Sequence, residues 1–349
     1  MADLDTAIPR GSLVLVTAAN GYTGSHIVIE LLKLGFRVRG TVRNASSAQW
    51  LLDDEFVSPF ARNGALEIVT ADNGVPGSYD DAVKGVSAII HVSIIGDLVA
   101  DPNIVVPGAT EAALNIARSA AKEPLIQRFV FTSTFLAATM PTPGATDVIT
   151  NLDTWNDAAT EIAWAPPPYG PERVVPAYIA GKVAGEKALW KFVEDEKLPW
   201  VVNSVSPGVI LGDLRSEQHL RSFPPQLLEQ IYMGSPTFAQ TMPAGYYSHV
   251  SDLAVIHIAA AIDPSVKGRR IQVIARSFNW AQCLDIMRKI YPSRKFIDNF
   301  LPENPQLVYT IEDNIAPELL KKWSGRDWID LETAVKEMIT FIVKHKNLE

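Results

Sequence analysis

The stretch "TAANGYTG", residues 17–24, decides the fold class because it joins two segments with different hydrophobic periods. The run before it, Leu13–Thr17, is short, apolar and rich in β-branched residues, which predicts a buried strand. The run after it, Tyr22–Leu34, carries apolar residues at helical spacing and is followed by Gly35, a residue type that commonly ends helices. A strand that enters a helix through such a turn predicts a parallel α/β sheet with a ligand site at the turn.

Two glycines in this turn, Gly21 and Gly24, indicate that a phosphate group binds there. The start of a helix presents unpaired N–H groups and the positive end of the helix dipole, and a Cβ atom at either glycine would hold an anion away from them. Tyr22 and Thr23 lie between the glycines and complete the predicted cofactor-binding turn. The alternative, an incidental glycine turn, agrees less well with its position between a strand and a helix.

The first two hundred residues continue to alternate β-branched runs with helical periods, which predicts a doubly wound parallel sheet, a Rossmann fold. The predicted strands are Leu13–Thr17, Arg37–Val42, Leu66–Val69, Ala88–His91, Arg128–Thr132 and Trp200–Val205. Further predicted helices are Ala109–Ala121 and one from the region of Tyr178 to about Glu196. Residues 140–176 are too rich in proline for a single element and are interpreted as a long loop over the ligand-binding end of the sheet.

After Pro207 the alternation weakens, which predicts a smaller second lobe. Its predicted elements are the helices Pro225–Met233, Ser251–Ile262, Trp280–Ile290 and Leu331–Lys344, and a strand near Arg270–Ala275. We therefore expect a cofactor-binding domain over residues 1–206 that also carries the catalytic residues. Residues 207–349 are expected to form mostly a substrate-binding lobe, with some return to the first domain.

Composition excludes several classes of partner. The 349 residues include 39 acidic and 31 basic side chains, and this net charge of −8 argues against nucleic acid or an anionic membrane as a partner. Cys283 is the only cysteine and the six histidines lack metal-ligand spacing, so no disulfide and no metal site are predicted. The chain has no apolar run of the length that a bilayer requires, and we expect a cytoplasmic protein.

The end of the second predicted strand indicates which dinucleotide binds. An acidic residue there would bind the ribose 2′-hydroxyl of NAD, whereas a guanidinium would bind the 2′-phosphate of NADP. The segment "VRGTVRNASS", residues 38–47, has no acid but contains Arg39 and Arg43 on one face. The sequence therefore favours NADP(H), the alternative being that both arginines are ordinary solvated charges.

A tyrosine and a lysine in "YIAGK" are candidates for acid–base chemistry. Tyr178 and Lys182 stand four residues apart in a predicted helix, so both lie on one face. A neighbouring lysine cation favours the phenolate and would lower the tyrosine pKa, which suits a general acid. The second copy of this spacing, Tyr291 with Lys295, is set aside because Pro292 follows the tyrosine and interrupts a helix.

Two hydroxyl residues, Ser133 and Thr134, follow the strand in "RFVFTSTF" at the edge where a parallel sheet binds its ligands. A hydroxyl there can donate to a substrate carbonyl oxygen as negative charge develops. The alternative is that both side chains cap the strand, and the sequence leaves open which hydroxyl acts.

These motifs together resemble the extended short-chain dehydrogenases/reductases over nearly the whole chain. The resemblance rests on Thr17-x3-Gly21-x2-Gly24, "RFVFTSTF", "YIAGK", "NSVSPGVILG" (203–212) and "YYSHVSDLA" (246–254). One departure is Ala18, which replaces the first glycine of the family's turn. Within the family, the sequence is similar to yeast and fungal carbonyl or aldehyde reductases and to plant dihydroflavonol and cinnamoyl-CoA reductases.

The resemblance implies roles for individual residues. It assigns the catalytic hydroxyl to Thr134, with Ser133 beside it, and makes Asn115 the holder of a proton-relay water. Lys182 would also reach the ribose, near Tyr178. The remaining cofactor contacts that it implies are Asp72, Asn73, Val92, Pro207 and Val209.

The expected activity is therefore NADPH-dependent reduction of a small aldehyde or ketone, with Tyr178 as general acid, by a monomer or homodimer. Alternatives are a sugar epimerase or dehydratase, a steroid dehydrogenase/isomerase, or a non-catalytic NADP sensor. An apolar or aromatic substrate is expected if a group of second-lobe side chains lines the pocket; equally, these side chains could form the core of the lobe. They are Phe223, Met233, Phe238, Met242, Tyr246 and Tyr247.

Overall fold

The structure is a computed structural model that describes residues 4–93, 99–142, 144–145, 148–301 and 307–348. Its strands are β1 (Leu13–Thr17), β2 (Arg37–Val42), β3 (Leu66–Thr70), β4 (Ala88–His91), β5 (Arg128–Thr132), β6 (Val148–Thr150), β7 (Val201–Pro207), β8 (Val209–Leu211), β9 (Ala244–His249), β10 (Arg270–Val273), β11 (Arg276–Asn279) and β12 (Tyr309–Ile311). Its α-helices are α1 (Tyr22–Lys33), α2 (Gln49–Leu52), α3 (Ser58–Arg62), α4 (Pro102–Ala120), α5 (Asp157–Trp164), α6 (Val174–Asp195), α7 (Phe223–Tyr232), α8 (Thr237–Thr241), α9 (Val250–Ile262), α10 (Trp280–Ile290), α11 (Ala316–Ser324) and α12 (Leu331–Lys346).

A seven-stranded sheet, in the order β10-β7-β5-β4-β1-β2-β3, organises the fold. The pairs β1 with β2, β1 with β4, β2 with β3, β4 with β5 and β5 with β7 are all parallel. The connections run outward in opposite directions from β1, so the strand order reverses between β1 and β4. This is the position where doubly wound sheets bind their ligands. The predicted doubly wound Rossmann fold is confirmed.

The chain divides into two compact units. The first comprises Met1–Met140, Leu152–Ser206 and Ala254–Ile271, and the second comprises Pro141–Asn151, Pro207–Leu253 and Gln272–Glu349. The first unit has a core of buried side chains on the sheet and its helices, in which Phe129 stacks on Trp200 at a centroid distance of 5.9 Å. The second contains the small sheets β11-β9-β8 and β12-β6. The predicted domain boundary between residues 206 and 207 stays a prediction.

The predicted loop over residues 140–176 is partly wrong, because it contains β6 and the helix α5. α5 begins where the Asn156 side chain accepts a hydrogen bond from the Ala159 N–H at 3.0 Å, a side-chain cap that stabilises a short helix. Among the described residues, no helix combines the length and the apolar character needed to cross a membrane.

Candidate active site

The turn between β1 and α1 contains a residue other than glycine, Ala18, in the left-handed backbone conformation. Ala18 has φ +51°, a region that glycine adopts most readily, and its carbonyl accepts a hydrogen bond from the Gly21 N–H at 2.8 Å. Ala18 stands where the resembling family has glycine, so the chain keeps the backbone shape of the turn despite the substitution.

Gly24 allows α1 to approach the turn closely. A Cβ atom at this position would lie 2.2 Å from the carbonyl oxygen of Ala18 and 3.2 Å from the Cα of Ala19. On the neighbouring strand, a Cβ at Gly40 would lie 2.6 Å from the Ala19 side chain. Any side chain at Gly24 would therefore push the helix away from β1.

The N-terminus of α1 has the features that a diphosphate needs. Gly21 is the N-cap and provides no side-chain hydrogen bond, and the first turn contains no acidic residue. Tyr22 and Thr23, which begin the helix, are buried. The positive end of the helix dipole at this turn favours an anion. These residues fit the diphosphate of a dinucleotide.

Thr17 fixes the ends of β1 and β4 relative to each other. Its Oγ1 accepts hydrogen bonds from the N–H groups of Val92, at 2.9 Å, and Ser93, at 3.0 Å. The same hydroxyl lies 3.1 Å from Nδ1 of His91, to which it donates. Burial lowers the pKa of His91 to about 3, so its imidazole is neutral. Val92, a predicted cofactor contact, thus lies where the strand order reverses.

The two arginines of β2 have different environments. Arg39 Nε donates to Glu67 at 2.7 Å, and its Nη1 donates to the carbonyl oxygens of Ala82 and Lys84 at 2.8 and 2.7 Å. Arg39 is therefore a structural residue, and the prediction that it could hold a phosphate is corrected. Arg43 directly follows the strand and is exposed. Arg43 is the remaining candidate of the two for the 2′-phosphate.

The segment after Arg43 is tied to the glycine turn. Nδ2 of Asn20 donates to Ser47, to the hydroxyl at 2.9 Å and to the carbonyl oxygen at 3.1 Å. The segment is also ordered internally, since Oδ1 of Asn44 accepts from the Ser46 N–H at 3.1 Å. The backbone around Arg43 is thus held next to the predicted phosphate site.

Asp72 and Asn73 lie in an ordered turn that follows β3. Oδ1 of Asp72 accepts from the Gly74 N–H at 2.8 Å. Nδ2 of Asn73 donates to the Ser93 hydroxyl at 2.8 Å, while its Oδ1 accepts from Tyr79 at 2.5 Å. The predicted contact of Asp72 and Asn73 with the cofactor stays a prediction.

The side chain of Asn115 is bonded to the turn that follows β3. Its Nδ2 donates to the carbonyl oxygens of Asp72, Asn73 and Val75 at 3.4, 3.1 and 2.8 Å, and its Oδ1 accepts from the Gly77 N–H at 2.9 Å. The amide is thus engaged with the backbone of residues 72–77. Asn115 therefore orders the turn that carries Asp72, and its expected part in holding a proton-relay water stays a prediction.

Tyr178 and Thr134 contact each other in the first unit. Thr134 follows β5, and its Oγ1 accepts a hydrogen bond from the Leu136 N–H at 3.3 Å at the start of a short 3₁₀ turn. Burial raises the pKa of Tyr178 on α6 to about 12, and the Thr134 side chain acts in the opposite direction.

Lys182 is on the same face of α6 but directs its ammonium group to the sheet. Its Nζ donates to the Thr132 carbonyl oxygen at 2.9 Å and lies 5.4 Å from the centre of the Phe131 ring. Burial lowers the pKa of Lys182 to about 8, and the carboxylate of Glu186 acts in the opposite direction. The expected lowering of the Tyr178 pKa by this cation is therefore not observed.

Ser133 has a partner of its own. Its Oγ donates to Oε2 of Glu186 at 2.5 Å, and Oε1 of the same carboxylate accepts from Nε of Arg270 at 2.9 Å. Of the two adjacent hydroxyls, Thr134 lowers the pKa of Tyr178, whereas Ser133 hydrogen bonds with a buried ion pair. Which of the two hydroxyls acts on the substrate stays a prediction. Neither Glu186 nor Arg270 was predicted as a site residue. Glu186 stands four residues after Lys182, which the sequence shows, whereas Arg270 carries no local signal.

Close packing of α4 and α6 positions the face that carries Tyr178. A Cβ at Gly181 would lie 3.0 Å from Cγ1 of Val105 and 3.3 Å from Cβ of Ala109, and one at Gly185 would lie 3.1 Å from the carbonyl oxygen of Ala109. Larger residues would separate the helices and move the catalytic face.

The remaining predicted site residues belong to the second unit. Pro207 ends β7 and Val209 begins β8, and the Gly208 N–H between them lies 3.2 Å from the carbonyl oxygen of Val273. Their predicted contact with the nicotinamide carboxamide stays a prediction. Tyr246 and Tyr247 are part of the core of this unit, whereas Phe223 and Met233 are about half exposed.

A glycine turn at the point of strand reversal and a Tyr–Lys helix beside β5 together define a dinucleotide-dependent enzyme of the Rossmann class. The chain belongs to the NAD dependent epimerase/dehydratase family, whose model matches residues 14–274.

Curated relatives and a solved structure resemble the chain over nearly its whole length. The NAD-dependent epimerase/dehydratase terH of Aspergillus terreus is 35% identical and covers 95% of this chain and 97% of its own. Aldehyde reductase 2 of Sporidiobolus salmonicolor is 31% identical, with coverages of 97% and 98%. The structure of Gre2 from Candida albicans in complex with NADPH has a TM-score of 0.80 at 22% identity, covering 95% of this chain and 99% of that chain, which supports the fold. The predicted resemblance to fungal reductases and to the plant cinnamoyl-CoA and dihydroflavonol reductases is confirmed.

Proposed function

We propose that the protein reduces an aldehyde or ketone to the alcohol with NADPH, and that Tyr178 is the general acid. The observation that carries the proposal is that Tyr178 and the buried Lys182 lie one helical turn apart on α6, with Thr134 close enough to Tyr178 to lower its pKa. The similarity to aldehyde reductase 2, a relative of nearly the same length, also supports the proposal. The substrate is a small carbonyl compound, and the proposed location, the cytoplasm, is supported by the single cysteine.

Residues of the turn between β1 and α1 and at the end of β2 would hold the cofactor. Gly21, Tyr22, Thr23 and Gly24 would bind the diphosphate at the start of α1, and Arg43 would bind the 2′-phosphate. We also propose cofactor contacts for Asp72, Asn73, Val92, Pro207 and Val209. When bound, NADPH supplies a hydride to the carbonyl carbon.

Side chains of the protein would donate the proton to the carbonyl oxygen and stabilise the charge that develops on it. With a pKa of about 12, Tyr178 carries its proton at every physiological pH, which is the state that a general acid requires. Tyr178 would donate this proton to the carbonyl oxygen while the Thr134 hydroxyl orients that oxygen. The cation of Lys182 would hold the ribose of the cofactor.

The test is the loss of NADPH absorbance when purified protein is mixed with aromatic and aliphatic aldehydes and ketones, repeated with NADH. We expect turnover that prefers NADPH. Tyr178→Phe should lower kcat by a factor on the order of 10²–10⁴, because it removes the transferable proton, while NADPH binding by fluorescence stays close to wild type.

Tyr291→Phe is the matched control, since Tyr291 begins the other Tyr-x3-Lys copy but lies beyond the end of α10. Its kcat should stay near the wild-type value. Full activity of Tyr178→Phe would assign the acid to another group. Tight NADPH binding without oxidation of any carbonyl would instead favour an epimerase or a cofactor sensor.

A further inference from the structure

Glu186 is a fully buried carboxylate behind the proposed active site. Its residue exposure is 0%, and both of its oxygens accept hydrogen bonds, from Nε of Arg270 at 2.9 Å and from the Ser133 hydroxyl at 2.5 Å. A buried ion loses its hydration, and even a paired one often adds little to stability. The presence of this carboxylate therefore calls for a reason other than stability.

Arg270 holds the carboxylate in one orientation. Its side chain is 8% exposed, and its Nη1 donates to the carbonyl oxygens of Leu152 and Thr154 at 2.8 and 2.7 Å. The guanidinium also lies 3.5 Å from the centre of the Trp155 ring. Because these contacts fix the guanidinium on several sides, the position of Glu186 is fixed as well.

The carboxylate of Glu186 acts electrostatically on Lys182. Tyr178, Lys182 and Glu186 follow one another at four-residue spacing on α6 and therefore share one face. Lys182 is 4% exposed, and the anion of Glu186 opposes the effect of burial on its pKa. The other titratable groups around this pair are Tyr178, which is protonated, His91 on β4, which is neutral, and Arg270, which is bonded to Glu186.

We propose that Glu186 is a positioning residue of the active site. Its carboxylate balances the charge of Lys182 and accepts the hydrogen bond of the Ser133 hydroxyl, which leaves Thr134 as the hydroxyl that faces the substrate. This inference rests on the proposed function, because it assigns Lys182 a role as a cation. It adds Glu186, Ser133 and Arg270 to the residues on which the reaction depends.

The test is the pH dependence of kcat/KM for NADPH, which reports groups of the enzyme before the cofactor binds. In the wild type this quantity should fall as pH rises through about 8, where Lys182 loses its proton. In Glu186→Gln the anion that raises this pKa is gone while a hydrogen-bonding group of similar shape remains. The fall should therefore occur at a pH lower by about one unit.

Control variants distinguish the loss of the Glu186 charge from structural damage to the site. Glu186→Asp keeps the anion and should bring the midpoint back toward the wild-type value, and Ser133→Ala keeps the carboxylate and should leave the midpoint unchanged. Glu111→Gln removes an exposed carboxylate paired with Arg118 and should change neither midpoint nor rate. A uniform loss of activity in Glu186→Gln at every pH, with the wild-type midpoint, would overturn the inference.

A binding measurement keeps this test independent of turnover. The pH dependence of NADPH affinity, followed by fluorescence, should show the same shift between the wild type and Glu186→Gln. If no carbonyl compound is reduced, the proposed function fails, but the binding midpoints still decide the role of Glu186. If Glu186→Gln does not fold, the double variant Glu186→Gln/Arg270→Met removes the whole buried pair, which proteins often tolerate, and gives the same comparison.

Discussion

At the scale of single residues, cofactor choice is expected to depend on Arg43. Arg43→Ala should weaken NADPH binding by about 10- to 100-fold, because a charge-assisted hydrogen bond to a phosphate contributes about 1.5–3 kcal/mol. NADH, which lacks the 2′-phosphate, should bind as before. The measurement is a fluorescence titration with both cofactors. Arg37→Ala, at the exposed start of the same strand, is the control and should affect neither. Equal losses for both cofactors in Arg43→Ala would remove Arg43 from the phosphate site.

The residue scale is also where the sequence was least informative about the site. Spacing alone paired Tyr178 with Lys182, because four residues in a helix form a fixed geometric relation. It could not distinguish Ser133 from Thr134, since neighbours in an extended chain point in opposite directions and only their partners differ. The partner of Ser133, Glu186, comes from a distant part of the chain.

At the scale of elements, prediction was accurate wherever a run of apolar residues had clear ends. β1, β2, β4 and β5 have the predicted bounds. α4 begins at Pro102 rather than at the predicted Ala109, because the Asp101 side chain caps it and Pro102 fits the first turn. β8 and β9 in the second unit were missed, since short strands that obtain their partners from distant segments leave little local periodicity.

The turn between β1 and α1 yields a prediction about stability. Ala18 adopts a left-handed conformation that costs an L-residue about 1–2 kcal/mol, whereas glycine adopts it freely but loses more entropy on folding. Ala18→Gly should therefore raise the free energy of unfolding by up to about 1 kcal/mol, as measured by urea denaturation. Ala19→Gly, one residue on, should lower it by about 1 kcal/mol, because it removes a buried methyl group. A loss of stability in both variants would show that the turn does not strain Ala18.

At the scale of the whole molecule, the chain re-enters the first unit at positions that no local sequence pattern predicts. The chain leaves the first unit after Ser206 and completes it later with residues 254–271, which include Arg270. Alternation of strands and helices predicts a sheet but not which later segment supplies its edge strand or a buried arginine. The resemblance to a family supplied the site residues that spacing could not.

The motif "YYSHVSDLA" shows the same long-range dependence within the second unit and gives the last prediction. The buried carboxylate of Asp252 pairs with Arg326 and accepts from the Ile329 N–H at 3.0 Å, and the Tyr247 hydroxyl donates to the Ile329 carbonyl oxygen at 3.1 Å. Asp252→Ala leaves Arg326 and the Ile329 N–H without their acceptor, so the free energy of unfolding should fall by about 2 kcal/mol.

Asp327→Ala is the matched control for this prediction, since its carboxylate is 87% exposed and pairs with Lys321 at 3.4 Å. It should change the free energy of unfolding in urea by less than about 0.5 kcal/mol. If the free energy of unfolding fell equally little in both variants, the motif would not stabilise the segment around Ile329. A large loss in Asp252→Ala alone, with cofactor binding retained at low temperature, would make the motif a structural clamp of the second unit rather than part of the catalytic machinery.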